Sequence, residues 1–513
     1  MSTQTQAAQD AVEVVDPQGR PGPHTLSRNA LGAPALFFCI ATAAAPLTAL
    51  LFNGPLTILG AGWAGPAAFL AATVILAIFT VGYVQMAKRV TTAGGFYSFV
   101  SHGFARTLGL GTAALITFVY AILTASIVGI FAYFANSSIN DWLGVDIPVW
   151  ILLFGVIGVW ALFALLNIQI TARVLGVFFL AEVAGALVLA FAIVFAGGDS
   201  GLTAAPLNPV KLFDNPAAVG VFGAAAPGIA LFAAFWSWVG YEMAPQYSEE
   251  IREPKRILSK ATFLTLFFLG VFYTFVTWAF VNGYGTDKVA QGVNAQFEGK
   301  VASAWYPLTD RYVGSALTTL FELLIITSAF ACGLAFFNTA SRYVFALGRE
   351  RILPAALGRT QESHRTPHLA SFAVAGFVAL WVLAFYIDDS STEAALLKLA
   401  TWTPLVGVFG LLLVQALVSF AIIRWFRTEG ADGFHWVKTF AAPLLGGALM
   451  LFSAYLLLDN RETLAGANGV PFIQYGPWIV VGVFAVGVAA GLWFRARDAA
   501  RYQAVGRFVY EDA

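Results

Sequence analysis

Twelve apolar runs, each long enough to cross about 30 Å of hydrocarbon as a helix, dictate the solvent in which this chain folds. They cover residues 32–60, 65–87, 107–136, 148–167, 172–196, 221–246, 260–283, 315–346, 367–388, 393–423, 438–458 and 475–495. Charged residues make up 11% of the chain and hydrophobic ones 59%, whereas a soluble domain carries about 25% charge. Inside a bilayer every backbone N–H and C=O must find a partner within the protein, so the expected class is all-α and polytopic. Several runs exceed twenty residues by a good margin, which predicts tilted or broken helices.

The loops then orient the runs. Of the 28 Lys and Arg, 22 lie in loops on the side of the N-terminus and six on the other. The positive-inside rule places both termini in the cytoplasm and the protein in the cytoplasmic membrane. Residues 1–30 are polar and lack the apolar core of a signal peptide, so they read as a disordered cytoplasmic tail, and 496–513 read as a cytoplasmic C-terminal tail. Between them, residues 31–495 form the membrane domain. Cys39 and Cys332 fall inside apolar runs, which argues against a disulfide framework. The five His lie outside the runs or at their ends, and neither a phosphate-binding Gly-rich loop nor a zinc-protease motif occurs. No enzyme chemistry, cofactor, metal or nucleic-acid partner is expected.

Two runs carry features that do not suit a plain helix. The sixth contains Gly240-Tyr241-Glu242 at mid-membrane depth and leaves through Pro245. A carboxylate there costs a few kcal/mol or more, and Gly and Pro both weaken the helix around it. The first contains Ala43-Ala44-Ala45-Pro46, where Pro46 has no N–H to give the carbonyl of Thr42. Broken helices in the membrane are found where they are buried in protein or line a wet cavity. Two breaks five helices apart are what two five-helix repeats of opposite topology produce, and half-helix ends suit a substrate carboxylate. The candidate substrate site is therefore Ala45, Pro46, Leu47 and Thr48 with Gly240, Tyr241 and Glu242. Trp238 and Tyr120 are its aromatic lining, whereas Trp402 reads as an interface residue.

Three acids lie inside runs: Glu182, Glu242 and Glu322, the last near the outer end of its helix. Without a deep histidine, proton coupling would use one of them. On the cytoplasmic side Glu249 and Glu250 are candidates to latch onto Arg342 or Arg349 as an inner gate.

Four stretches in this order resemble the amino acid–polyamine–organocation (APC) superfamily of permeases over about residues 30–500. They are Ala93-Gly94-Gly95-Phe96-Tyr97 and Gly240-Tyr241-Glu242, then Glu249-Glu250 with Pro254-Lys255-Arg256-Ile257-Leu258. The fourth is Asn338-Thr339-Ala340-Ser341-Arg342 with Ala346, Arg349, Leu353 and Pro354. The resemblance implies a five-plus-five inverted repeat, here 31–196 and 221–424, with two extra helices at 438–495. It also implies alternating access around a site between the first, third, sixth, eighth and tenth helices. Glu182 falls where many members carry a lysine that stands in for a sodium ion, and Thr327 and Ser328 resemble hydroxyls of that cation site. Glu182, Thr327 and Ser328 are thus the candidate ion-coupling residues, for H⁺ or Na⁺. The chain departs from the family pattern at Ala43-Ala44-Ala45-Pro46, where Gly-Ser-Gly is usual, and at Arg349-Glu350-Arg351, where Arg-Asp-Gly is. The expected function is a permease for an amino acid or related amine, working by symport as a monomer or homodimer. The alternatives are a polyamine or organic-cation permease or exchanger and, with less behind them, a membrane-embedded transferase or a non-transporting sensor.

Overall fold

The computed structural model of the chain describes residues 32–90, 94–165, 168–214, 225–247, 254–361, 366–392, 395–465 and 470–506, and these are helices and short connections, with no strand among them. The longer helices are α1 (Ala33–Ala43), α2 (Gly54–Ala61), α3 (Gly65–Arg89), α4 (Phe96–Gly103), α5 (Arg106–Leu143), α6 (Val149–Phe163), α7 (Ile168–Ala196) and α8 (Pro227–Trp238). They continue as α9 (Pro254–Tyr284), α10 (Val289–Phe297), α11 (Ser315–Arg349), α12 (His368–Asp388), α13 (Thr403–Arg427), α14 (Ala442–Asn460) and α15 (Pro471–Arg497). Among the described residues nine helical stretches are long and apolar enough to cross a membrane, which makes this a multi-pass membrane protein. One of the nine, Leu36–Arg89, runs through two of the apolar runs read from the sequence, whereas α6 and α8 are shorter than a full crossing.

The 38-residue α5 forms the spine. It is buried along most of its length, with α11 and α15 packed on it and α4 and α13 alongside. Around this centre α9 lies against α3, and α14 against α13 and α8. Prolines punctuate the bundle where their missing N–H costs little. Pro46, Pro55, Pro66, Pro227, Pro404, Pro443 and Pro471 all stand in the first two positions of a helix or helix half.

Both suspect helices are broken. The first runs as α1, stops at Ala44 and Ala45, resumes at Pro46–Thr48, passes through a π turn at Ala49–Asn53 and finishes as α2. Pro55 cannot donate to the carbonyl of Leu51, and Nε2 of Gln296 on α10 donates to it instead at 3.3 Å. The connection between α9 and α11 thus packs on this break through Gln296, and its Trp305 packs on Phe280 at 4.3 Å between centroids. The sixth run is α8 followed by Val239, Gly240 and a 3₁₀ turn at Tyr241–Tyr247. Outside the breaks, α2 and α8 meet backbone to backbone. The Ala226 amide donates to the Gly60 carbonyl at 2.9 Å, and a β-carbon on Gly60 would sit 2.5 Å from the Ala230 nitrogen.

Candidate functional site

The residue before a proline is pushed out of the α region, and Ala45 takes the left-handed conformation, with φ 43° and ψ 74°. It is one of two non-glycine residues with positive φ among the described residues, a conformation costing about 1–2 kcal/mol. The surroundings hold it there by bonding the exposed backbone on both sides. The Sγ of Cys332 (α11) donates to the Ala43 carbonyl at 3.1 Å, and Oη of Tyr273 (α9) donates to the Ala44 carbonyl at 2.9 Å. Past the break, the Leu47 N–H donates to Oε2 of Glu182 (α7) at 3.1 Å and the Thr48 N–H to Oγ of Ser328 (α11) at 3.3 Å. Ser328 in turn donates to the same Glu182 oxygen at 2.8 Å. A buried carboxylate from a distant helix thus sits on the positive end of the resumed helix, as the helix dipole favours.

The sixth-helix break is built differently. Gly240 has φ +111°, open to glycine alone in practice, and a β-carbon there would lie 2.7 Å from that of Ala43. The two breaks therefore touch. Glu242 turns back so that its Oε2 accepts the Gly240 N–H at 3.1 Å, while its Oε1 accepts from Oη of Tyr120 (α5) at 2.6 Å. Its backbone carbonyl accepts from Tyr83 (α3) at 2.7 Å, and Thr80 donates to Tyr241 at 3.4 Å.

Beside the touching breaks lies a small cavity of about 10 Å³, room for about one water molecule. Its walls are Ala43, Ala44, Ala45, Thr48, Ala49 and Asn53 of the first helix, with Ile127 and Ile130 of α5, Trp236 and Ser237 of α8, and Cys332 and Phe336 of α11. No carboxylate, amine or guanidinium is among them. Trp236 faces this cavity, whereas Trp238 and Tyr241 line a second one, also of about 10 Å³, with Glu242, Val408 and Gln415. Side chains two apart on a helix point about 200° away from each other, so one of the two tryptophans had to face away. Trp238 packs instead on Tyr241 and Tyr273, at 6.2 and 5.6 Å between centroids.

The other sequence candidates fall as follows. Ser328 joins Glu182 and the first break, but Thr327 donates to the carbonyl of Leu324 at 3.0 Å and lies apart from that cluster. Glu322 is half-buried at the far end of α11, where it accepts from Nε1 of Trp142 at 2.7 Å. Trp402, also half-buried, ends the π turn that leads into α13. Glu249 and Glu250 lie outside the described residues. Of their proposed partners, Arg349 has its guanidinium 5.5 Å from the Phe345 ring centre, and Arg342 is half-buried on the same helix. Near that end of α11, Glu350 is buried and its Oε1 accepts from Oη of Tyr97 (α4) at 2.8 Å and from the Gly506 N–H at 3.0 Å. The Gly506 carbonyl meets Nε2 of His102 at 3.0 Å, so residues 499–506 are docked onto the bundle rather than extended from it.

Sequence reasoning did not single out Tyr83, Tyr273, Cys332, Asn53 or Ser237. Asn53 left a signal, an amide within an apolar run; a tyrosine among 16 and a cysteine in an apolar helix left none.

Residues 31–488 match the family described as amino acid permease. The chain is 24% identical over 380 residues to the low-affinity putrescine importer PlaP of Escherichia coli (strain K12), covering 71% of this chain and 74% of that one. It is 23% identical over 453 residues to the branched-chain amino acid permease BcaP of Bacillus subtilis (strain 168), covering 83% and 86%. It is also 27% identical over 217 residues to an uncharacterized transporter, R00093, of Rhizobium meliloti (strain 1021), covering 42% of this chain and 44% of that one.

Proposed function

Because the chain belongs to the amino acid permease family, we propose that it moves an amino acid or a related amine through the site between its two broken helices, by alternating access across the cytoplasmic membrane with both termini inside. It is a transporter and not an enzyme. The observation that carries the reading is the contact of Gly240 with Ala43, which puts two unwound segments side by side against one small cavity. Backbone broken at this depth is retained where it serves a site. Twelve spans in two inverted repeats of five, with two extra helices, would place the breaks at equivalent positions. The relatives' names, a putrescine importer and a branched-chain amino acid permease, bracket the substrate class.

The coupling ion in this reading is the proton. A sodium ion takes several oxygen ligands with lone pairs turned toward it. The groups turned toward Glu182 are donors, the Leu47 N–H and the Ser328 hydroxyl, and they suit an anion that is at times protonated. Uptake into liposomes holding the purified protein tests this. Accumulation should follow an inward proton gradient and ignore a sodium gradient. Accumulation that needs sodium would refute proton coupling, and no uptake of any amine or amino acid would refute the transport reading.

A further inference from the structure

A much larger space, about 590 Å³ and open to solvent, lies toward the face that the loop charges place outside. The outer end of α5 forms one wall of this vestibule, and the connection between α10 and α11 forms another. Ile127, Ile130, Tyr133, Ser137 and Asp141 follow one another on α5 at steps of three and four residues, so they share one face of the helix. The first two line the small cavity at the breaks, and the last three line the vestibule. From Ile130 to Tyr133 the helix rises only about 4.5 Å. The vestibule thus stands one turn of α5 above the breaks.

Its charges are one-sided. Asp141 and Asp310 line it, and neither meets a cation among the described residues; Oδ1 of Asp310 accepts from Oγ1 of Thr318 at 2.5 Å. The ammonium on its walls, Lys300, is paired with Glu298 at 2.5 Å, and Arg311, next to Asp310 in the chain, is paired with Asp199 at 2.8 Å. A second observation points the same way. Asn136 is only 9% exposed, and its Nδ2 donates to Oδ1 of Asp146 at 3.2 Å and to the Ile147 carbonyl at 2.9 Å, which fixes how the amide is turned. Its Oδ1 accepts from none of the described residues, and it is not sealed from the vestibule that Asn136 lines. An acceptor held in place and left open in this way calls for a donor. The rings of Tyr133 and Tyr306 stand in the same wall, and the face of a tyrosine attracts a cation. Burial holds the Tyr306 phenol well above its usual range, with Glu322, Tyr133 and Asp141 adding to the rise, so the negative field reaches into this wall.

We propose that the vestibule is a binding site for organic ammonium groups, where Asp141 and Asp310 gather an amine or the amino end of an amino acid and Asn136 Oδ1 accepts from its N–H; that the site feeds the path between the broken helices rests on the transport reading above. A cleft lined by one sign of charge concentrates ions of the other sign, and salt weakens the effect. The same two acids repel a carboxylate that carries no ammonium.

The test uses the full-length purified protein with putrescine, isopentylamine, leucine and 4-methylpentanoate, the last being an acid without an amine. Binding is read by thermal stabilisation, which a ligand specific for the folded state must produce, and transport by uptake into liposomes with the probe added on the vestibule side. At least one of the three ammonium probes should bind, and 4-methylpentanoate should not. In the double variant Asp141→Asn with Asp310→Asn, which keeps an acceptor for Thr318, the KM for uptake should rise at least fivefold while the maximal rate is kept. Raising salt from 50 to 300 mM should raise the KM of the unaltered protein and leave that of the double variant level. A folded double variant with an unchanged KM, or with undiminished salt dependence, overturns the proposal and leaves the transport reading intact. Binding by none of the ammonium probes, or equal binding of 4-methylpentanoate, also overturns it. Ammonium binding that the double variant loses, without uptake of any amine or amino acid, would keep the site and overturn the transport reading instead.

Discussion

The two breaks solve one electrostatic problem in opposite ways. Each exposes N–H groups at the start of a resumed helix, and each is answered by a carboxylate. In the sixth helix the carboxylate is local: Glu242 lies two residues from the Gly240 amide it accepts and moves with it. In the first helix it is borrowed, because Glu182 is 135 residues from Leu47 and belongs to α7. A local cap survives rigid movement of its helix. A borrowed cap ties helices together and is lost when they part. The bonding also differs in detail. Leu47 and Ser328 share one oxygen of Glu182, whereas Gly240 and Tyr120 use both oxygens of Glu242. Under the proposed proton coupling, the first cap, which engages one oxygen, is the one expected to titrate, and the second, which engages both, is expected to stay fixed.

Glutamine substitutions separate the two most strongly. Glu182→Gln keeps an oxygen for both donors, so the fold should be retained while the site can no longer titrate. Proton-driven accumulation should fall at least tenfold, with counterflow, which needs no gradient, largely preserved. Equal losses in both assays would mean that Glu182 is structural. Glu242→Gln offers one oxygen where two are used, and it should lower the melting temperature more than Glu182→Gln does. The reverse order would contradict the assignment of one cap as fixed and the other as titrating.

The next largest effect concerns the contact between the breaks. Gly240→Ala adds a methyl 2.7 Å from the β-carbon of Ala43 at a φ of +111°. Strain of about 1–3 kcal/mol and overpacking of similar size should leave a protein that unfolds at clearly lower temperature. Ala43→Gly in the same chain removes the clash and not the strain, so it should restore only part of the loss. Smaller again is Tyr120→Phe, which leaves one Glu242 oxygen without its donor and should cost about 1–3 kcal/mol in a denaturation series. No change would show that water takes the place of the hydroxyl.

Much of this arrangement could be read from the chain. A proline after three alanines and a glutamate two residues after a glycine mark backbone that a membrane helix would otherwise avoid. Glu182 stood out because a carboxylate in an apolar run is costly. What could not be read was which helix answers which break. Tyr273, Cys332 and Tyr83 donate to backbone carbonyls from helices far away in sequence, and such bonds are set by how helices rotate against each other. The choice between Trp236 and Trp238 had the same origin. Periodicity requires that they face apart, but the rotation of α8 in the bundle decides which one meets the cavity at the breaks.

Glu350 provides a third buried carboxylate against which to sharpen the contrast, and the smallest expected effect. It caps no break; it holds the docked C-terminal segment, and like Glu182 it uses one oxygen for both donors, Tyr97 and Gly506. Burial pushes its carboxyl up to about 7, against the downward pull of those two bonds and of Arg349. Undocking is expected to let water reach Glu350 and return its carboxyl toward an ordinary 4.5, so that it binds its proton more tightly when docked. Its contribution is therefore full below about 4.5 and is lost as pH rises through about 7. Hydrogen exchange of the amides at 499–506 should accordingly speed up beyond the ordinary base-catalysed rise as pH goes from 5 to 8. Because the segment opens locally, the melting temperature should change little. Glu350→Gln keeps the shared oxygen and cannot ionise, so it should remove the extra pH dependence and keep the segment docked. If the dependence persists in that variant, Glu350 is not the group that titrates. The one-oxygen cap would then be a proton site at Glu182 and a mere anchor at Glu350.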